Sequence, residues 1–267
     1  MLDVQFGQAS DLGKVRTNNE DAMGFFVPAS LHQARILGYL FAVADGVGGL
    51  DWGEVASSTA ISVVTKEFAK APPGTTLRSL VPRLVQRANA AVHECALDPG
   101  DGGKKMATTL VVCALRDDRA VISHVGDSRC YLVRGSSARQ VTQDHTLVNA
   151  QLKMGLIQAA EMAESDARHM LLRSLGPEMF VSPETTVLIL QPGDVLVLCT
   201  DGLHDEMSDG EIASIVSQKK SAEELARELV ARAVEMDGGD NTTAQVIRIC
   251  SVERVSMPRG RPYGRAS

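Results

Sequence analysis

Aromatic residues are scarce in this chain of 267 residues: they make up 4% of it, with one Trp and three Tyr. The core that its 44% hydrophobic content allows must therefore be built from Val, Leu, Ala, Ile and Met. No apolar run approaches the roughly 20 residues that span a bilayer, which excludes a helical membrane-spanning role. Met1 leads into mixed polar sequence without the basic and apolar regions of a signal peptide. Positive charge is in deficit, with 27 Lys and Arg against 33 Asp and Glu and a formal charge of −6, which argues against nucleic-acid binding as the main task. The five Cys (Cys95, Cys113, Cys130, Cys199, Cys250) form no CxxC pair and sit mostly in apolar runs. They read as reduced core thiols, and the expected location is the cytoplasm. HxxH zinc spacing and a GxSxG nucleophile elbow are missing as well.

What is present begins with short strands. Residues 2–8 alternate apolar and polar, as an edge or hairpin strand does, and residues 22–27 and 38–44 read as paired strands with a loop between them. From Gly53 the period becomes helical as far as Lys70, and Pro72-Pro73-Gly74 ends it. A second helix is expected from Leu77 to Ala96, antiparallel to the first on the face of a sheet. A Gly-rich loop covers Asp98 to Lys105. Strands return at Thr108–Leu115, Ala120–Gly126 and Cys130–Val133, separated by turn signals that suggest antiparallel meanders. Residues 146–170 break the rhythm with a short helix, Leu147 to Met154, and an acidic segment from Ala159 to Asp166; they are expected to form a helical flap. Strands at Thr185–Leu190 and Asp194–Cys199, helices at Asp209–Ser217 and Ala222–Val234, and a strand at Ala244–Ile249 follow. The expected class is α+β, with two stacked, mainly antiparallel sheets flanked by helix pairs. One domain over residues 1–250 and a disordered basic tail over 251–267 complete the organisation.

Acids recur at the strand ends. Asp45 closes the run Phe41–Ala44, Asp127 follows Val121–Gly126, Asp201 follows Val195–Thr200, and Asp240 precedes Thr243–Ile249. Glu20 and Asp21 in an early polar loop bring the total to six. If the strand ends converge, bare carboxylates repel one another and raise one another's pKa. Such oxygen-rich clusters are neutralised by hard divalent cations, Mg²⁺ or Mn²⁺ rather than Zn²⁺. The plainer account, that each acid separately caps a turn, would win at any single site; recurrence favours the metal. Arg16 lies close by, and its guanidinium fork suits phosphate, although a surface salt bridge to Asp11 or Glu20 explains it equally well. Two cations bridged by a carboxylate lower the pKa of bound water and generate hydroxide for in-line attack on phosphorus.

These motifs resemble the metal-dependent serine/threonine protein phosphatases of the protein phosphatase 2C type. The resemblance is carried by Gly13-Lys14-Val15-Arg16-Thr17-Asn18-Asn19-Glu20-Asp21-Ala22, Val43-Ala44-Asp45-Gly46-Val47-Gly48-Gly49, Met106-Ala107-Thr108-Thr109-Leu110 and Val125-Gly126-Asp127-Ser128-Arg129. Further along come Gln140-Val141-Thr142-Gln143-Asp144-His145-Thr146, Leu172-Arg173-Ser174-Leu175-Gly176, Cys199-Thr200-Asp201-Gly202-Leu203 and Asp240-Asn241-Thr242-Thr243-Ala244. All are in the family's order and together cover about residues 3–250. The resemblance implies an α-β-β-α sandwich and hydrolysis of phosphoserine and phosphothreonine in proteins by a hydroxide bridging two Mn²⁺ or Mg²⁺ ions per chain. It implies that Asp45 bridges both ions, that Asp201 and Asp240 complete one, and that Asp21 and the Gly46 carbonyl serve the other. Glu20 would act through water and Arg16 would bind phosphate. Asp127, with Asp201, would help hold a third, weaker ion, and Asp205 fits a ligand of that third site. The partners so implied are phosphoproteins, Ser/Thr kinases and their substrates, met by a monomer of bacterial type.

One departure is visible. Animal members carry a His directly after the Asp-Gly pair, and here Val47 stands there, as bacterial members similarly lack it; the leaving-group proton is then expected from metal-bound water. His145 is expected to be structural, His169 to pack rather than meet substrate, and His204 to lie at the surface. Two rivals remain at this stage: a non-catalytic phosphoprotein-binding module, and the same chemistry turned on a small phosphate ester.

Overall fold

The computed structural model describes residues 2–47, 52–97, 106–162, 165 and 167–252. Gly48-Gly49, the loop 98–105, part of the acidic flap segment and the tail from 253 onward lie outside the described residues.

Among the described residues ten strands form two five-stranded sheets in which every neighbouring pair is antiparallel. In chain order they are β1 (Leu2–Asp11), β2 (Asp21–Phe26), β3 (Tyr39–Asp45), β4 (Leu110–Arg116), β5 (Arg119–Val125), β6 (Arg129–Arg134), β7 (Ser137–Gln140), β8 (Glu184–Ile189), β9 (Val195–Cys199) and β10 (Thr242–Val252). One sheet runs β1-β10-β9-β6-β7 and the other β2-β3-β4-β5-β8. The helices are α1 (Leu31–Ile36), α2 (Gly53–Ala69), α3 (Leu77–Ala96), α4 (Leu147–Lys153), α5 (Asp201–His204), α6 (Asp209–Val216) and α7 (Ala222–Met236). Among the described residues no helix is long and apolar enough to cross a membrane.

Burial explains why the central strands read as unbroken apolar runs. Leu40, Ala42 and Ala44 of β3 face α2 and α3, while Phe41 and Val43 face the other sheet. In β9, Val197 and Cys199 pack under α6 and α7, and Leu196 and Leu198 point into the space between the sheets. A strand covered on both faces has no polar side to alternate with. Three apolar layers result, giving the α-β-β-α sandwich anticipated from the motifs. The outer helices are capped as their sequences advertise: Ser208 and Ser221 each accept from the backbone three residues on, and Glu211 and Glu224 reach back in capping boxes.

Three local differences from the sequence reading have physical causes. The connection expected as a loop between β2 and β3 contains α1, started by Ser30 accepting from Gln33 N at 3.2 Å. That helix buries no residue and so leaves no apolar period to read. Strand β7, not anticipated as an element, is a four-residue edge strand with no buried position. The last strand extends beyond the expected 244–249 because β1 pairs with it from Leu2 opposite Val252 to Asp11 opposite Thr242.

Candidate metal centre

Strand register brings the acids together. Asp21 opens β2 and Asp45 closes β3, and the two are directly paired. In the other sheet Cys199 pairs with Ala244, which leaves Asp201, just past β9, and Asp240, just before β10, at one shared end. The loop carrying Arg16 and Glu20 departs from that same end, because Asp11 pairs with Thr242. The two sheets are joined there: Thr200 Oγ1 donates to Asp21 Oδ2 at 2.9 Å.

A cavity of about 610 Å³ opens between the sheet ends, lined by Arg16, Glu20, Asp45, Gly46, Asp127, Asp201, Asp205 and Asp240. Of the residues singled out in the sequence, Asp21 is not in this lining; its Oδ1 is sealed from water without a hydrogen-bond partner. Close backbone approach explains the glycine after Asp45. A Cβ on Gly46 would sit 2.4 Å from the Gly53 backbone and 2.8 Å from the Glu20 carbonyl oxygen, which accepts from Gly46 N. Neutral side chains pin the rest. Asn241 accepts from Glu20 N and donates to the carbonyls of Leu12 and Asn18, Ser57 donates to the Glu20 carbonyl, and Thr109 Oγ1 accepts from Asp45 N.

The cluster is electrostatically strained in its own right. Burial, reinforced by the charges of Asp201 and Asp21, pushes the Asp45 carboxyl well above the usual carboxylate range. Burial raises Asp21 to about 7 against the hydrogen bonds from Thr243 and Thr200, and it raises Asp127 to about 7 with help from Asp201. Asp201 is also raised, by burial first, with His204 opposing and the charges of Asp240 and Asp205 adding. Asp205 moves the other way: burial works upward, but the hydrogen bond and charge of His204, and then His169, hold it below its ordinary value.

This chemistry fits a hard cation. Among the described residues no Lys or Arg forms an ion pair with Asp21, Asp45, Asp127 or Asp201. Buried charge of one sign needs a partner, and the orphaned Asp21 oxygen offers an unused ligand position. Carboxylate and carbonyl donors select Mg²⁺ or Mn²⁺ over softer ions. At one side of the cavity His169, Asp201 and Asp205 each bring a donor atom to within 4.8 Å of the others.

Three expectations are corrected. Arg16 pairs with neither Asp11 nor Glu20; its Nη2 lies 2.7 Å from Asp240 Oδ2, because the loop folds back over the entry to β10, with Lys14 N donating to the Gly238 carbonyl. His204 is not at the surface. It is 8% exposed, its Nε2 3.1 Å from the Asp127 carbonyl oxygen and its Nδ1 3.1 Å from Asp205 Oδ1. His169 does not pack inside but lines the cavity, with a side chain 49% exposed. The sequence reading gave no role to Arg168, Glu206 and Asp237, which also line the cavity, nor to Thr200 and Asn241, whose bonds run to partners about 180 and 220 residues away. No local pattern marks such pairings.

The architecture and the acid-lined cavity define a class, and comparison with known proteins gives it a family. Residues 14–237 match the protein phosphatase 2C model. The Serine/threonine phosphatase stp of Listeria innocua is 32% identical over 255 residues, covering 94% of this chain and 96% of that one. Among solved structures, Ser/Thr phosphatase Stp1 from Staphylococcus aureus superposes with a TM-score of 0.84 at 28% identity, covering 94% of this chain and 96% of its own. The catalytic domain of the Ser/Thr protein phosphatase PstP, solved with two manganese ions, gives a TM-score of 0.78 at 31% identity over 94% of this chain and 100% of that one. The chain belongs to the protein phosphatase 2C family, and by that membership it is a metal-dependent hydrolase acting on phosphoproteins.

Proposed function

We propose that this chain hydrolyses phosphoserine and phosphothreonine in proteins, opposing Ser/Thr kinases in the cytoplasm. The observation that carries the reading is convergence: acids spread from residue 20 to residue 240 surround one cavity, and among the described residues Asp45, Asp127 and Asp201 in its lining form no ion pair with Lys or Arg. In this reading Asp45, Asp201 and Asp240 would hold one Mn²⁺ or Mg²⁺ ion, and Asp45, Asp21 and the Gly46 carbonyl would hold a second, with Glu20 acting through water. Asp127 and Asp205 would serve a third, weaker ion. Bound there, the ions supply Lewis acidity and a water acidic enough to act as nucleophile near neutral pH.

The protein's own groups do the positioning. Arg16, with a side chain 42% exposed at the rim, exchanges its single bond to Asp240 for phosphate oxygens, which suit the geometry of its fork. Val47 lines the cavity where an imidazole would otherwise stand, so the leaving alkoxide takes its proton from water in the cavity rather than from that position. The five free Cys, three of them buried, support a reducing compartment.

The test is phosphopeptide turnover. Chelation should abolish it reversibly, with Mn²⁺ restoring it, and Asp45→Ala should abolish it whatever the metal concentration. Full turnover by the Asp45→Ala protein would overturn the reading, and preference for sugar phosphates over phosphopeptides would move it to a small-ester hydrolase.

A further inference from the structure

Behind the cavity wall lies a second cluster of titratable side chains, His124, His145 and Glu184, with donor atoms within 4.8 Å of one another. His124 is paired with Glu184 across the β5–β8 ladder. The two imidazoles stack with centroids 4.8 Å apart and planes 11° from parallel. The spacing invites a metal reading, but the hydrogen bonds oppose it. Gly126 N donates to His145 Nδ1 at 3.2 Å, so the neutral ring carries its proton on Nε2, the atom that faces Glu184 Oε2 at 3.5 Å. An ion at Nε2 would force a proton onto Nδ1, against the Gly126 N–H.

What Nδ1 holds is the turn that presents Asp127. Gly126 has no freedom there: its φ is +100°, and a Cβ would lie 2.6 Å from Thr109 Cβ. The His145 backbone completes the link. Its N–H donates to the Gly126 carbonyl at 3.0 Å, and its carbonyl accepts from Leu172 N at 2.8 Å. Next to it Thr146 bridges Leu171, and Leu147 N donates to the Met170 carbonyl at 2.8 Å, so residues 145–147 and 170–172 form the neck of the flap. On the flap side of that neck sit Arg168 and His169, which with Leu171 line the cavity. His145 itself is only 7% exposed.

We propose that His145 is a positioning residue: ring and backbone together clamp the Asp127 turn to the flap neck, so that an acid at the cavity wall and the flap residues at its mouth keep one register. The consequence for cations rests on the reading of Asp127 as a weak-site ligand; the clamp itself does not. Burial first, then His124 and Arg173, lower the pKa of His145 to about 4, so the ring stays neutral and Nδ1 remains an acceptor at physiological pH.

Hydrogen exchange and Mn²⁺ calorimetry on the full chain test this with His145→Leu, which lacks the acceptor, and His145→Asn, which keeps one close to the place of Nδ1. In His145→Leu, amides of 124–128 and of 146–172 should exchange about tenfold faster together, with β9 unchanged, while His145→Asn stays close to wild type. The weakest Mn²⁺ event should weaken about tenfold in His145→Leu and the tighter events should not. Acceleration of only one segment, or equal effects of Leu and Asn, would overturn the clamp. Coupled exchange with no weak Mn²⁺ event in the wild type would support the clamp and remove the weak-site role of Asp127. Wild type gives a second reading that needs no variant: the Gly126 and Leu172 amides should share one opening rate, and rates more than about tenfold apart would overturn the proposal.

Discussion

Two groups of acids in this molecule are treated in opposite ways. Asp144 receives Arg129 Nε at 3.1 Å and Nη2 at 2.6 Å, with Gln140 Nε2 at 2.7 Å. Asp194, with a side chain 1% exposed, receives Arg134 through two bonds and the backbone of Gln191. Both carboxylates are matched by protein groups and hold loops in place. Asp21, Asp45, Asp127 and Asp201 have no such arginine among the described residues, and three of the four line the cavity. The contrast distinguishes acids that serve the fold from acids left without a counter-charge, which in the proposed reading would hold the cations.

The sharpest way to break this comparison is to neutralise one acid of each kind. Asp201→Asn should cut phosphopeptide turnover by about a thousandfold or more, since in the proposed reading it removes a ligand of the ions. The same change should raise the melting temperature of the chelated protein, because it relieves repulsion. Asp144→Ala should do the reverse, costing about 3–5 kcal/mol in denaturant unfolding, because Arg129 would remain buried and unpaired. If both variants shifted stability in the same direction, the distinction would be lost.

Acid and base titration of stability sharpens the same point. Carboxyls whose pKa is raised by folding, to about 7 for Asp21 and Asp127, bind protons more tightly in the native state. Their favourable contribution is complete below the unfolded value near 4 and is lost as pH rises through about 7. Chelated protein should therefore lose a few kcal/mol from these groups between those limits, and saturating Mn²⁺ should remove the loss. A metal-free melting curve unaffected by pH in this window would count against the strained cluster. The smallest effect is expected at the rim. Arg16→Ala should raise KM for phosphopeptide about tenfold while changing unfolding by no more than about 1 kcal/mol, because its pair with Asp240 is exposed.

Much of this was legible in the sequence, for definable reasons. Strand β3 and helices α2 and α3 announced themselves because both faces of the strand and one stripe of each helix are buried, which leaves a local period. The family was legible because its acids sit in fixed surroundings at strand ends. The structure gathers Arg16, Glu20, Asp45, Gly46, Asp127, Asp201, Asp205 and Asp240 around one cavity, with Asp21 joined to the same end through Thr200. The parts that escaped depend on partners far along the chain. His204 looked like a surface residue because nothing near it in sequence reveals the Asp127 carbonyl it meets. Arg16 left two local partners open, and the one it takes is 224 residues away. Helix α1, with no buried side, left no pattern at all.

The pairing of β1 with β10 has a consequence for how the protein comes into being on the ribosome. Leu2–Asp11 is made early and waits unpaired until Thr242–Val252 emerges to zip against it, and the cavity lacks Asp240 until the same moment. Closing contacts so distant is slow compared with local helix formation. A chain that stops short of β10 thus lacks both the partner strand of β1 and one acid of the cavity.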